Sequence, residues 1–199
     1  MTSRTSHVLL VLTAFVAGLV IFSAAIFFVA GKGPAVQAPA PSAVGGPFRL
    51  VDHNGQTVTD TDMKGKPFLV FFGFTHCPDI CPTTLFEVSE ILGKLGGDAE
   101  RVNALFVTVD PERDTADKLK DYLSSFHPRL RGLTGTSEAI AAMEKAYRVY
   151  SKKVPLDGGG YTMDHTALVY LMNKDGRFVA PFNMKRKPEE AAADLRKYL

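Results

Sequence analysis

From Val8 to Ala30 the chain carries 23 consecutive residues without a charge. As a helix rising 1.5 Å per residue, such a run is about 35 Å long and spans a hydrocarbon core of roughly 30 Å. A cleaved export signal has an apolar region of only about 7–15 residues. The pattern therefore predicts an uncleaved transmembrane anchor at residues 8–30, with residues 1–7 as a short cytoplasmic N-terminus. Arg4 precedes the span and Lys32 follows it, a contrast that mildly favours the bulk of the chain outside. Residues 31–46, GKGPAVQAPAPSAVGG, read as a partly extended Pro/Ala/Gly linker. Residues 47–199 are long enough to bury about two-thirds of their unfolded surface as one domain.

Within that domain the hydrophobic period switches repeatedly. Phe48 to Thr57 reads as a hairpin around Asn54-Gly55. Pro67 to Phe74 is a continuous apolar run, as in a strand buried on both faces. Leu85, Val88, Ile91, Leu92 and Leu95 then recur at helical spacing until Gly96-Gly97. Asn103 to Asp110 is a second central strand. Thr115 caps a helix to Phe126, and Ser137 caps another to Tyr147. Thr166 to Met172 is a strand that turns at Lys174-Asp175-Gly176 into Arg177 to Pro181, and Pro188 opens a last helix. The order β-α-β-α-(α)-β-β-α predicts an α/β domain with a mixed central sheet flanked by helices, the thioredoxin-like order.

Composition narrows the function. With 23 Lys+Arg against 21 Asp+Glu the net charge is +2, which gives no basic stripe for nucleic acid. Two cysteines exclude a multi-disulfide scaffold and a four-cysteine metal site within the chain. They sit together in Cys77-Pro78-Asp79-Ile80-Cys81, between the buried strand and the first long helix. Sites are built at the carboxyl ends of strands in α/β sheets, and the positive end of the following helix is expected to lower cysteine pKa. A structural disulfide closing so short a loop would gain only about 2 kcal/mol, so the pair reads as chemistry. A thioredoxin-type redox pair has two residues between its cysteines; here there are three. The wider spacing lets two soft sulfurs converge on copper(I) or zinc, given a third ligand.

Among the five histidines, His7, His53 and His127 read as surface residues. His76 adjoins Cys77 and points away from it if the segment is extended, so it is expected to support the site, as is Asp79 inside the loop. His165, in Tyr161-Thr162-Met163-Asp164-His165-Thr166, takes the place facing the cysteine loop where thioredoxins usually carry a cis-proline. It is the expected third ligand, with Asp164 orienting its ring. Met163 reads as core. Gly158-Gly159-Gly160 before it predict either a mobile loop suited to metal loading or a plain connector.

Three segments now carry a resemblance: Gly73-Phe74-Thr75-His76-Cys77-Pro78-Asp79-Ile80-Cys81-Pro82, Val109-Asp110-Pro111-Glu112-Arg113-Asp114-Thr115 and Asp164-His165-Thr166. With the single anchor and the Asp175-Gly176 hairpin, they resemble the Sco/SenC family over residues 47–199. The resemblance implies a thioredoxin fold that binds copper(I) or copper(II) through Cys77, Cys81 and His165. It implies a membrane-tethered metallochaperone for the copper-A centre of cytochrome c oxidase subunit II. Other copper chaperones or thiol-disulfide reductants are further partners it suggests. The implied address is the bacterial inner membrane, with the domain in the periplasm. The alternative reading is a thiol-disulfide oxidoreductase in which Cys77 and Cys81 reduce subunit II or another exported protein. Asp110 and Arg113 are expected to pair, or to cap and fix their loop, with docking or support of the site as the alternative role.

Overall fold

The computed structural model describes residues 3–30 and 44–199. Helix α1 (Ser3–Ala30) belongs to a unit of its own. Its large apolar side chains from Leu12 to Phe28 are exposed. Among the described residues no helix is long and apolar enough to cross a membrane, so the anchor stays an expectation of the sequence. Residues 31–43 of the expected linker lie outside the described residues. Residues 44–46 already pack onto the second unit: the Gly45 N–H donates to the Ala146 carbonyl at 2.9 Å and Val44 rests on the core.

The second unit follows, with small differences, the predicted order. Strands β1 (Arg49–Asp52) and β2 (Thr57–Thr59) form the hairpin around Asn54-Gly55. Then come β3 (Phe68–Gly73), α2 (Ile80–Leu95), β4 (Asn103–Thr108), α3 (Ala116–Leu123), β5 (Leu130–Thr134) and α4 (Ser137–Tyr147). Strands β6 (Ser151–Pro155) and β7 (Tyr161–His165) precede β8 (Val169–Met172), β9 (Phe178–Pro181) and α5 (Pro188–Leu195). Seven strands make one sheet in the order β2-β1-β5-β4-β3-β8-β9. Strands β3, β4 and β5 run parallel, β1 and β8 flank them antiparallel, and the edge strands β2 and β9 are antiparallel to β1 and β8 in turn. This is the thioredoxin-like mixed sheet.

Every residue of β3 is buried, which is why its sequence lacks a polar alternation. Helix α2 sets Leu85, Val88, Ile91, Leu92 and Leu95 into the core and stops at Gly96, whose φ of +57° ends the helical run. Thr115 caps α3 as expected, by accepting the Lys118 N–H. The cap of α4 is Thr136, not Ser137: its hydroxyl accepts the Ala139 N–H, and Ser137 is the first helical residue.

Two features depart from the sequence reading. Strand β5 lies in a stretch to which the sequence reading assigned no element. The segment from Lys152 to Gly160 contains β6, which the sequence reading did not assign, and the turn into β7, in which the three glycines lie. Gly159 and Gly160 have φ of +88° and +77°, and the Leu156 and Gly160 backbones are hydrogen-bonded across the turn. The glycines supply left-handed backbone that a side chain would strain.

Candidate metal centre

Cys77 lies in the loop leaving β3, and Cys81 is the second residue of α2, after the cap Asp79. The Cys77 N–H donates to the Phe74 carbonyl at 3.3 Å. The Cys81 N–H donates to Cys77 Sγ at 3.4 Å. These two bonds curl the loop so that both sulfurs face the same place. Cys81 is fully buried and Cys77 partly exposed. Gly73, the last residue of β3, makes the approach possible: a Cβ there would stand 2.8 Å from Cys81 Sγ and 2.7 Å from Phe106.

His165 ends β7 and comes to the cysteines from the opposite side. Its Nδ1 lies 3.2 Å from the Thr166 carbonyl. A proton donated there leaves the Nε2 lone pair free, and Nε2 is 3.8 Å from Cys81 Sγ. The rings of Phe74 and Phe71 stand edge-on to the imidazole, at 5.7 and 6.4 Å between centroids. The donor atoms of Cys77, Cys81 and His165 all lie within 4.8 Å of one another. Three donors about 2.0–2.3 Å from a shared ion in a trigonal arrangement stand roughly 4 Å apart, so a small contraction suffices to hold one.

Burial pushes the Cys81 thiol well above its ordinary range, against a smaller lowering by the Phe74 backbone. The lowering expected from the helix N-terminus therefore does not prevail at Cys81: the sulfur is out of water, and desolvation of a thiolate wins. Burial also lowers the pKa of His165, opposed by its bond to Thr166 and the charge of Asp164. At neutral pH the metal-free site is thus set up with a protonated Cys81 and a neutral imidazole.

The expected supporting residues fall in different places. Asp164 is exposed, because neighbours on a strand point to opposite faces and His165 points inward; the Thr166 carbonyl holds Nδ1. His76 stays outside the three-donor group, with Nδ1 3.2 Å from Thr75 Oγ1 and 4.0 Å from Asp114. Asp79 is exposed at the α2 cap, and its side chain makes no capping bond. His53 and His127 accept backbone N–H groups of Gly132 and Arg129, away from the cysteines. Met163 is buried in the core.

Sequence reading did not assign Asp114, Thr75 or Thr108 a part in bracing the site. Asp114, fully buried, accepts the Thr75 N–H at 3.0 Å, the Thr75 hydroxyl at 2.6 Å and the Thr108 hydroxyl at 2.6 Å. That ties the start of the cysteine loop to the end of β4. Asp110 pairs with Arg113 as expected and also accepts the Tyr161 hydroxyl at 2.9 Å. The available signal was the density of Thr and Asp where two adjacent buried strands end, since buried polar groups there need partners.

A profile of the SCO1/SenC family matches residues 36–199. The chain belongs to the SCO1/SenC family. The "Protein SCO1 homolog, mitochondrial" of Mus musculus is 43% identical over 155 residues, covering 76% of this chain and 55% of its own. The "Protein SCO2 homolog, mitochondrial" of the same organism is 41% identical over 167 residues, covering 82% and 66%. The chain thus spans between about half and two-thirds of these curated relatives. The copper-bound structure of Bradyrhizobium japonicum ScoI is 64% identical with a TM-score of 0.77, covering 78% of this chain and 99% of that one. Copper-bound yeast Sco1 is 37% identical with a TM-score of 0.71, covering 78% and 87%. This SCO1/SenC chain therefore shares its fold with relatives that have been seen with copper.

Proposed function

We propose that the chain is a copper-binding assembly factor that holds one copper ion on Cys77, Cys81 and His165 and passes it to the copper-A site of cytochrome c oxidase subunit II. The observation that carries this reading is the three-donor group itself, two sulfurs and one imidazole within 4.8 Å. Copper-bound ScoI and Sco1 support it as relatives. Soft sulfur ligands suit copper(I), and a low coordination number leaves room for an incoming ligand from the acceptor. The uncharged run from Val8 to Ala30 supports a tether at residues 8–30. The Pro/Ala/Gly-rich residues before Val44 then act as the linker that gives the domain reach. The proposed address is a bacterial inner membrane with the domain in the periplasm.

The test is anaerobic copper(I) titration of the reduced full chain in detergent, against a chromophoric chelator. One copper per chain is expected. Cys77→Ser should abolish retention, and His165→Ala should weaken it at least tenfold. Non-stoichiometric binding indifferent to His165 would overturn the reading.

The same site predicts a pH dependence. Copper displaces thiol protons, and Cys81 holds its proton at neutral pH because burial raises its pKa. His165, with a lowered pKa, is already neutral and competes for a proton only in mild acid. Apparent affinity is expected to rise about tenfold per pH unit for each proton released between roughly pH 6 and 8. Repeating the competition across that window checks it; a flat profile would mean that the thiols are not the ligands.

A second reading is favoured by one observation: Cys77 is partly exposed while Cys81, its neighbour in the same group, is buried. That is the arrangement of an attacking and a resolving thiol. In it, two electrons and two protons pass from the cysteines to a target disulfide, leaving a Cys77–Cys81 disulfide and two target thiols. Reduction of a disulfide-bonded subunit II domain that survives His165→Ala would establish this activity.

A further inference from the structure

Strands β6 and β7 form a two-stranded sheet separate from the main one. Such a ribbon is marginally stable alone, and most of β6 is exposed. Yet β7 carries His165, whose position decides whether the site has two ligands or three. Something must hold the ribbon in place. Met163 anchors it by burial near its His165 end. At the other end the holding groups are polar and come from the turn after β4.

Arg113 reaches across to Tyr161, the first residue of β7. Its Nη1 donates to the Tyr161 carbonyl at 2.9 Å. Its guanidinium lies 3.8 Å from the centre of the Tyr161 ring, an attractive cation–π distance. The Tyr161 hydroxyl donates to Asp110 Oδ1 at 2.9 Å, and Asp110 Oδ2 pairs with Arg113 Nε. Asp110 is buried, and its backbone N–H donates to the Thr108 hydroxyl at the end of β4. A continuous path therefore runs from the central sheet through Asp110 and Arg113 to the strand that ends in the ligand. The neighbouring pair of Lys153 and Glu112 is exposed on both sides and adds little.

We propose that Arg113 and Asp110 are positioning residues that clamp the β6–β7 ribbon and hold His165 on the two cysteines. The clamp engages Tyr161, four residues or about 14 Å along the strand from His165, so it acts on the metal site without touching it. Loosening it lets the ribbon swing and converts a three-ligand site into a two-cysteine site. This rests on the copper reading above.

The experiment is a double-mutant cycle on the reduced full chain in detergent, read by copper(I) competition. Arg113→Ala is expected to lower affinity at least tenfold. Adding Arg113→Ala to His165→Ala should cost little more than His165→Ala alone, because both remove the same ligand. Tyr161→Phe, which keeps the ring and loses only the bond to Asp110, should give a smaller fall and guards against a misfolded alanine variant. In the metal-free chain, Arg113→Ala should speed amide exchange in β6 and β7 while β3 and β4 stay protected. A full, additive loss in the double variant, or unchanged affinity and exchange in Arg113→Ala, would overturn the clamp. Indifference of the unsubstituted chain to His165→Ala would instead overturn the copper reading beneath it.

Discussion

Replacing Asp114 with alanine is expected to cost the metal-free domain about 3–5 kcal/mol. The carboxylate is fully buried and accepts three hydrogen bonds, from the Thr75 N–H and hydroxyl and from the Thr108 hydroxyl. Alanine removes the acceptors and leaves the donors in place. Each buried donor left unpaired costs roughly 1–3 kcal/mol, and a cavity is added. For a domain of this size the loss corresponds to a fall in Tm of about 6–20 °C. Asp114→Asn, which keeps one acceptor oxygen, should lose about half as much. Urea unfolding of the two variants beside the unsubstituted chain gives the measurement. A cost below about 1 kcal/mol for the alanine variant would mean that the network contributes nothing to folding. The same substitution reaches the metal centre, because Thr75 lies two residues before Cys77. Freed of Asp114, the start of the loop is no longer tied to β4, and copper affinity should fall with stability.

That network shows which parts of the site were legible in the sequence. The main ligand candidates could be named because chemistry and position coincide in them: two sulfurs after an apolar run, and one histidine before another. The buried strand β3 was legible because burial on both faces leaves an unbroken apolar stretch. Strand β5 was missed because it carries Arg131 and Gly132 within five residues, and its pairing to β4 is set by partners far along the chain. The ribbon was missed for a related reason. Only Met163 of its residues is buried, so β6 and β7 show no strong alternation, and three glycines beside them suggested slack where the backbone needs left-handed turns. Asp164 was expected to orient His165, which neglected the alternation of a strand: the neighbour of an inward residue faces out, and a backbone carbonyl does the work. The bracing pairs of Asp114 with Thr75 and of Arg113 with Tyr161 bridge 39 and 48 residues. Only the fold brings them together.

Gly73→Ala should separate the demands of the metal centre from those of the fold. The added methyl would stand 2.7 Å from Phe106 and 2.8 Å from Cys81 Sγ. Both neighbours are fully buried, so either moves only against packed surroundings. The backbone of Gly73 is also fixed, by its register with Thr108 and by the Val109 N–H that donates to its carbonyl at 2.8 Å. The strain must therefore displace the sulfur, the Phe106 ring or both. Overpacking of this kind costs about 1–3 kcal/mol. Displacing Cys81 Sγ also breaks the triangle with Cys77 and His165, so copper affinity should fall at least tenfold. Gly93→Ala is the matched control: it adds the same methyl to α2, where nothing lies within 4 Å. That variant should gain up to about 1 kcal/mol, because alanine suits a helix interior better than glycine, and should bind copper unchanged. The pair is read by urea unfolding of the metal-free chain and copper competition of the loaded one. Equal copper affinity in both variants would show that the space beside Cys81 is not what sets the position of its sulfur. A loss confined to Gly73→Ala would show that the space beside Cys81 sets the position of its sulfur.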